Sequence, residues 1–142
     1  MNVHELAAAW AALPQISNVH ASADGRWAFF CAPGLNEIDE VYAVLTDGSA
    51  PPERLTEGTD HFLIRDVSPD GMRLILAQSL RACEHDHLLL LDRADGNALR
   101  QLTPTQRSHY VFGGRFNGDG SAIVFVADFD YATGEVIDGA AV

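Results

Sequence analysis

A four-residue turn phrase occurs three times in this chain, each time just before an apolar run. Its central aspartates are Asp24, Asp70 and Asp119, so the spacings are 46 and 49 residues. The phrases are Ser22-Ala23-Asp24-Gly25, Ser68-Pro69-Asp70-Gly71 and Asn117-Gly118-Asp119-Gly120. A second phrase keeps the period, because Arg54-Leu55-Thr56 returns 47 residues later as Gln101-Leu102-Thr103. Periods of about 20–50 residues indicate solenoids, propellers or arrays.

Each repeat contains four short apolar runs separated by turn residues. In the second repeat we predict strands at Phe62–Val67, Arg73–Gln78, Leu88–Leu91 and Ala98–Leu102, with a polar loop at Ser79–Asp86. The Asp-Gly pairs (Asp24-Gly25, Asp70-Gly71 and Asp119-Gly120) suit tight turns, because glycine accepts a positive φ without steric cost. Four short strands at this period predict an all-β fold, a partial β-propeller built from four-stranded blades.

The repeat boundaries divide the chain into four segments. We assign residues 1–15 to an N-terminal helix, 16–60 to blade 1, 61–108 to blade 2 and 109–142 to an incomplete blade 3. Asn2 is the predicted helix cap, with Glu5 three residues on in the capping-box position. Because two repeats and part of a third do not close a ring of 4–8 blades, we expect the chain to be one piece of a larger propeller or of an assembly.

The repeated motifs resemble the WD-type repeats of TolB-like propellers. The Ser-Pro-Asp-Gly turn, the strand Leu88–Asp92 and the closing Arg-Leu-Thr carry this resemblance, which covers about residues 13–142. The same repeats resemble the N-terminal propeller of the prolyl oligopeptidase family of serine peptidases. The entry segment Leu13–Ser17 and the segment Asp128–Glu135 fit that second group.

The resemblance to the peptidases implies a propeller that covers an α/β-hydrolase domain and admits only short peptides. Such a hydrolase carries its nucleophile in a Gly-x-Ser-x-Gly turn. No serine of this chain has glycine at both the second preceding and the second following position. We therefore expect no catalytic residue here, no cofactor, and a role in gating peptides for a hydrolase domain outside the chain. The alternatives are a TolB-like binding module that self-associates, or a decayed reading frame without function.

The charge balance limits the possible partners. Twenty acidic residues against nine lysines and arginines give a net charge of −11. Nucleic acids and anionic membrane surfaces both attract basic proteins, so neither is an expected partner. We find no positively charged segment with an apolar run at the N-terminus, and Cys31 and Cys83 occupy unrelated positions in their repeats. We accordingly expect free thiols and a cytoplasmic location.

Two histidine–aromatic pairs are candidate ligand contacts. His61-Phe62 and His109-Tyr110 open the first strand of their blades and lie 48 residues apart. The first strand of a blade lines the central channel of a propeller, so these four residues could contact a peptide there. The competing interpretation is that they are packing positions of the repeat, since repeated positions usually serve the fold.

Metal binding has weaker support in the sequence. His85 and His87 form a His-x-His pair, but we place it in a polar hairpin loop and no second ligand pair accompanies it. Asp128 and Asp130 resemble the start of an EF-hand loop, which requires glycine at its sixth position. Thr133 stands there instead, so we predict a hairpin turn over Ala132–Gly134 and no metal site.

Overall fold

The computed structural model describes residues 2–5, 15–34, 37–79, 86–104, 110–135 and 137. These residues form three antiparallel sheets, which confirms the all-β, partial-propeller fold. The sheets have the strand orders β1-β2-β3-β4, β5-β6-β7-β8 and β9-β10. The strands are β1 Ser17–Ala21, β2 Trp27–Pro33, β3 Asp39–Leu45, β4 Glu53–Arg54, β5 His61–Val67, β6 Arg73–Ser79, β7 Asp86–Asp92, β8 Ala98–Gln101, β9 Val111–Phe116 and β10 Ile123–Ala127.

The repeated phrase forms the same turn in all three blades. In blade 2 the Gly71 amide donates to the Ser68 carbonyl at 2.8 Å, and Gly71 has a φ of +70°. The Ser68 hydroxyl donates to Asp70 Oδ1 at 2.6 Å and accepts from the Arg73 amide at 2.8 Å. Gly25 and Gly120 have φ values of +70° and +73°. The left-handed conformation explains the glycine at this position.

In each complete blade, a threonine that follows the outer strand accepts a hydrogen bond from the backbone of the third strand. The Val41 amide donates to Thr56 Oγ1 at 2.9 Å, and the Leu88 amide donates to Thr103 Oγ1 at 2.9 Å. Both threonines are buried. The Leu-Thr phrase is therefore repeated because its hydroxyl satisfies a buried backbone donor in the third strand.

The innermost strands β1, β5 and β9 each contain a β-bulge at the same position. The extra residue in β5 is Arg65, between the pairs Ile64–Leu76 and Asp66–Ile75. In β9 it is Gly114, between the partners of Val124 and Phe125. The pairing of β1 with β2 shifts between Ser17 and His20, and Val19 in this interval lies five residues before Asp24, as Arg65 lies five residues before Asp70. The bulge bends each inner strand next to the following blade.

The apolar core lies between blades. The first cluster joins blades 1 and 2 and is formed by Phe29, Cys31, Val41, Ala43, Leu55, Phe62, Ile64, Leu74, Leu76 and Leu91. The second joins blades 2 and 3 through Ile75, Ala77, Leu88, Val111 and Phe129. Blade 2 consequently buries one face against blade 1 and the other face against blade 3.

Two local expectations can be compared with the strands and the N-terminal turn. The loop predicted at Ser79–Asp86 extends one residue too far at each end, because Ser79 is the last residue of β6 and Asp86 is the first residue of β7. At the N-terminus, the Asn2 amide donates to Glu5 Oε2 at 2.8 Å and the Glu5 amide donates to Asn2 Oδ1 at 2.9 Å, which is the predicted capping box. The rest of the predicted helix lies outside the described residues. Within the described ranges no helix has the length and apolarity needed to cross a bilayer.

Candidate functional site

The strand ends opposite the Asp-Gly turns carry three polar residues that the sequence singled out (His61, Tyr110 and Asp128), together with two aspartates that it did not. At this end, which we call the rim, β5 and β9 begin and β6 and β10 finish. Asp39, Asp60, His61, Tyr110 and Asp128 lie at the rim. The described residues of the rim include three carboxylates and one histidine, an acidic set in keeping with the net charge of −11.

His61 is exposed at the start of β5, where it meets blade 1. Its Nδ1 lies 3.7 Å from Asp39 Oδ2 and accepts a long hydrogen bond, at 3.4 Å, from the Asp39 amide. The adjacent Asp60 accepts a hydrogen bond from Gln78 Nε2 at 3.1 Å. The imidazole therefore lies at the contact between two blades, beside the carboxylate of Asp39.

Tyr110 is partly exposed immediately before β9. Its amide donates to Asp128 Oδ1 at 2.8 Å, and its ring stacks on that of Phe112 with a centroid separation of 6.4 Å. Both rings are accessible to solvent. This pair gives the blade 3 part of the rim an aromatic surface next to a carboxylate.

The strand register corrects the pairing of the two histidine–aromatic dipeptides. Phe62 pairs with Gln78, and Val111 pairs with Ala127, 49 residues further along both strands. His61 therefore corresponds to Tyr110 rather than to His109, which lies outside the described residues. Phe62 is buried in the core between blades 1 and 2, so its side chain does not fit the expectation of a channel contact. Of the four candidates, His61 and Tyr110 share an exposed position in consecutive blades.

His87 does not lie in the hairpin loop where the sequence placed the His-x-His pair. His87 is buried inside β7, opposite Gln78 on β6, while His85 lies outside the described residues. His87 occupies the position that Glu40 holds in blade 1, one residue before the strand amide bound by the closing threonine. Its Nδ1 has no hydrogen-bond partner among the described residues. Those residues contain no group of three or more His, Cys, Asp or Glu side chains able to hold a metal ion.

The Asp128–Glu135 segment forms the predicted hairpin turn. Asp130 Oδ1 accepts hydrogen bonds from the amides of Ala132 at 2.8 Å and Thr133 at 2.9 Å, and these bonds lower the pKa of Asp130. Gly134 has a φ of +73°, and its amide donates to the Asp130 carbonyl at 2.7 Å. One carboxylate oxygen is thus engaged by the backbone of the turn.

Two side chains that the sequence reading missed join consecutive inner strands. Asn18 Oδ1 accepts a short hydrogen bond from the Ile64 amide, and Asp66 Oδ2 accepts one from the Phe116 amide at 2.8 Å. Asn18 has a φ of +49°, a conformation that asparagine tolerates better than most residues. The sequence shows these two residues as polar side chains within apolar strands. They were missed because neither belongs to one of the repeated phrases.

Cys31 is a free thiol buried between blades 1 and 2. It donates to the Phe62 carbonyl and to Asn18 Oδ1, both at 3.4 Å. Burial raises the pKa of this thiol to about 11, which disfavours the reactive thiolate. Cys31 is therefore a packing residue of the interface. Cys83 lies outside the described residues.

Comparison with known proteins identifies the architecture. No family model and no curated protein matches the sequence. Among solved structures, the chain is similar to a putative TolB from Agrobacterium tumefaciens, with a TM-score of 0.62 and 19% identity over 78% of this chain and 38% of that one. It is also similar to TolB from Acinetobacter baumannii, with a TM-score of 0.56 and 23% identity over 84% of this chain and 31% of that one.

The chain has a TolB-like β-propeller fold. At these identities the similarity establishes the fold alone. The chain spans about a third of the length of the TolB structures that it resembles.

Proposed function

We propose that this chain is a non-catalytic propeller module that binds an extended peptide at its rim. The observation that supports this most directly is the shared position of His61 and Tyr110, both exposed at the start of consecutive inner strands. Neighbouring inner strands present such positions side by side. A peptide lying across them would meet an imidazole, an aromatic ring and the carboxylates of Asp39 and Asp128.

The chemistry of the rim favours a basic peptide over an acidic one. Asp39, Asp60 and Asp128 attract cationic side chains, and aromatic faces such as that of Tyr110 bind cations as well. An acidic peptide would be repelled by these carboxylates and by the overall charge of −11. Because such attraction is screened by salt, binding should weaken as the ionic strength rises.

Fluorescence anisotropy with two labelled nine-residue peptides tests this proposal. One peptide alternates lysine with glycine and the other alternates glutamate with glycine. We expect the lysine peptide to bind more tightly, and the double variant His61→Ala/Tyr110→Ala to weaken its binding about tenfold or more. The matched control is Met72→Ala, at the opposite end of blade 2. Equal affinity of all three proteins for the lysine peptide would place binding elsewhere.

A more specific role is that the module gates peptides for an α/β-hydrolase domain of the prolyl oligopeptidase type. The support for this role is the motif resemblance of the repeats, and the catalytic serine would have to lie outside these 142 residues. The test is labelling of cell extracts with a fluorophosphonate probe, followed by capture with an antibody to this segment. A labelled polypeptide several times heavier than 15.4 kDa is the expected result. Capture of an unlabelled product would exclude the peptidase role, and fractionation of the same cells tests the expected cytoplasmic location.

A further inference from the structure

A buried carboxyl group lies next to the rim in blade 1. It belongs to Glu40, the residue after Asp39 in β3, which is 4% exposed. Its Oε2 accepts a short hydrogen bond from Thr56 Oγ1, and its Oε1 accepts one from the Gly58 amide at 3.0 Å. No arginine, lysine or histidine among the described residues forms an ion pair with it. Both oxygens are therefore bound by the segment that connects β4 to β5.

The repeat does not require a carboxyl group at this position. In blade 2 the equivalent residue is His87, whereas the closing threonine is retained as Thr103 and again binds the amide of the third strand. Burial of a carboxyl group costs free energy that its hydrogen bonds must offset, so it is not the default choice for a packing position. The threonine therefore serves the repeat, while the carboxyl group of Glu40 is specific to blade 1.

Glu40 joins the two segments that meet at the blade 1 side of the rim. On one side, the neighbouring Asp39 places its Oδ2 at 3.7 Å from His61 Nδ1 and donates its amide to the same nitrogen at 3.4 Å. On the other side, the bond from Gly58 holds the segment that leads to Asp60 and His61, two and three residues further on. One carboxyl group thus fixes the position of the strand that carries Asp39 relative to the start of β5.

The hairpin between β2 and β3 leaves room for the same side chain. A Cβ at Gly34 would lie 2.8 Å from Glu40 Cγ and 3.8 Å from Glu40 Cβ. The Gly34 amide donates to the Ile38 carbonyl at 2.8 Å, next to Asp39. A larger residue at position 34 would therefore displace either this hairpin or the side chain of Glu40, whose oxygens are already bound.

We infer that Glu40 is a positioning residue for the rim, which holds Asp39 and His61 in the arrangement that binds a peptide without contacting the peptide itself. The inference rests on the proposed peptide-binding function and adds a residue outside the contact surface. Binding groups that are already held in place lose less conformational freedom when the ligand binds, which raises affinity. Loss of the Glu40 contacts should therefore weaken binding even when the blades remain folded.

Titration of the lysine–glycine peptide by fluorescence anisotropy measures the effect on binding. Glu40→Gln keeps only one acceptor oxygen and should raise the dissociation constant about three- to tenfold. Gly34→Ala removes no hydrogen-bonding group but presses on Glu40, so it should weaken binding as well. Urea unfolding followed by circular dichroism establishes that each variant is folded under the conditions of the titration.

The control variant is Leu74→Val, in the same core between blades 1 and 2 but next to the Asp-Gly turn of blade 2. It lowers stability through lost packing, because Leu74 is fully buried, and it alters no contact of the rim. We expect its affinity for the lysine peptide to equal that of the unmodified chain.

Nuclear magnetic resonance of the ¹⁵N-labelled protein follows the rim without any peptide. The ring signals of His61, assigned with the variant His61→Ala, and the amide signals of Asp39 should shift in Glu40→Gln. They should stay in place in Leu74→Val. A residue that served stability alone would change neither the His61 signals nor the affinity of the folded protein.

Two results would overturn the inference. One is binding of the lysine peptide by Glu40→Gln as tight as by the unmodified chain, and the other is a set of His61 signals that does not change in this variant. The two proposals fail separately. If the unmodified chain binds no peptide but Glu40→Gln shifts the His61 signals, the proposed ligand is refuted and the positioning of the rim by Glu40 stands.

Discussion

Blades 2 and 3 have the same sheet face in two different environments. In blade 2, Ile75 and Ala77 lie in a closed core, whereas in blade 3 the equivalent Val124 and Val126 face solvent. The pairing of the first two strands, with its bulge and its turn, is nevertheless the same in both blades. The local geometry of a blade is therefore set by its own sequence, while burial depends on the neighbouring blade, as expected for repeat proteins.

The largest expected effect contrasts the two equivalent strand residues. Ile75→Ala should lower the free energy of unfolding by about 2–5 kcal/mol, because it leaves a cavity between blades 2 and 3. Val124→Ala should change it by no more than about 0.5 kcal/mol, because Val124 is exposed. Urea unfolding followed by circular dichroism measures both. Equal losses would mean that Val124 is packed as closely as Ile75.

The two glycines of the β9 bulge give the next contrast. Gly114→Ala should destabilise the chain by about 1–3 kcal/mol, because its φ of +109° is strained for alanine and the new Cβ would press on Ile75. Gly113 has a φ of +77° but no atom within 4 Å of an added Cβ, so Gly113→Ala should cost less. The midpoints of thermal unfolding rank the two variants. The reverse order would mean that blade 3 does not pack closely on blade 2.

The closing threonines compare blades 1 and 2. Thr103→Val leaves the buried Leu88 amide without its acceptor, which should cost about 1–3 kcal/mol. Thr56→Val should cost at least as much, because Thr56 also donates to the buried carboxylate of Glu40. Thr133→Val, in the exposed turn after β10, is the control. Urea unfolding of the three variants measures the losses, and a negligible loss in both blades would show that water reaches these amides.

The smallest effect concerns the turn aspartates and has a defined pH dependence. The Ser68 hydroxyl and the Met72 amide hold the pKa of Asp70 below its usual 3.8. The folded state therefore favours the carboxylate, which stabilises the chain above pH 3.8 and ceases to do so as the pH falls through the lower pKa of the folded protein.

Asp70→Asn should accordingly be less stable than the unmodified chain at pH 7, and the difference should disappear on acidification. Asp119→Asn is the matched substitution in blade 3, where hydrogen bonds from Ser121 lower the pKa of the carboxyl group. Unfolding measured from pH 7 to pH 2.5 tests the sign. A difference that grows in acid would contradict the assignment of these hydrogen bonds.

The turns and strands could be predicted from the sequence because they depend on local chemistry. The phrase around Asp70 requires a left-handed glycine, and the apolar run after it forms strand β6. The closing phrase at Thr103 was recognised by its period alone, although its hydroxyl acts through a specific buried bond.

The candidate site was harder to predict from the sequence, because it depends on strand register and on the packing of neighbouring blades. A constant spacing of 48 aligned His61 with His109, whereas the strand pairing aligns it with Tyr110. The polar residues around His87 suggested a loop, but this histidine is a buried residue of strand β7. Nothing local marks Phe62 as buried, since its burial comes from blade 1 packing against it.

The hydrogen bonds between inner strands also have a direction along the chain. The acceptor lies in the earlier blade both times, Asn18 for the Ile64 amide and Asp66 for the Phe116 amide. Proteins emerge from the ribosome N-terminal end first, at about 5–20 residues per second. Each acceptor is therefore synthesised seconds before the strand that needs it, so blade 1 can serve as a template on which the later blades dock in the order of translation.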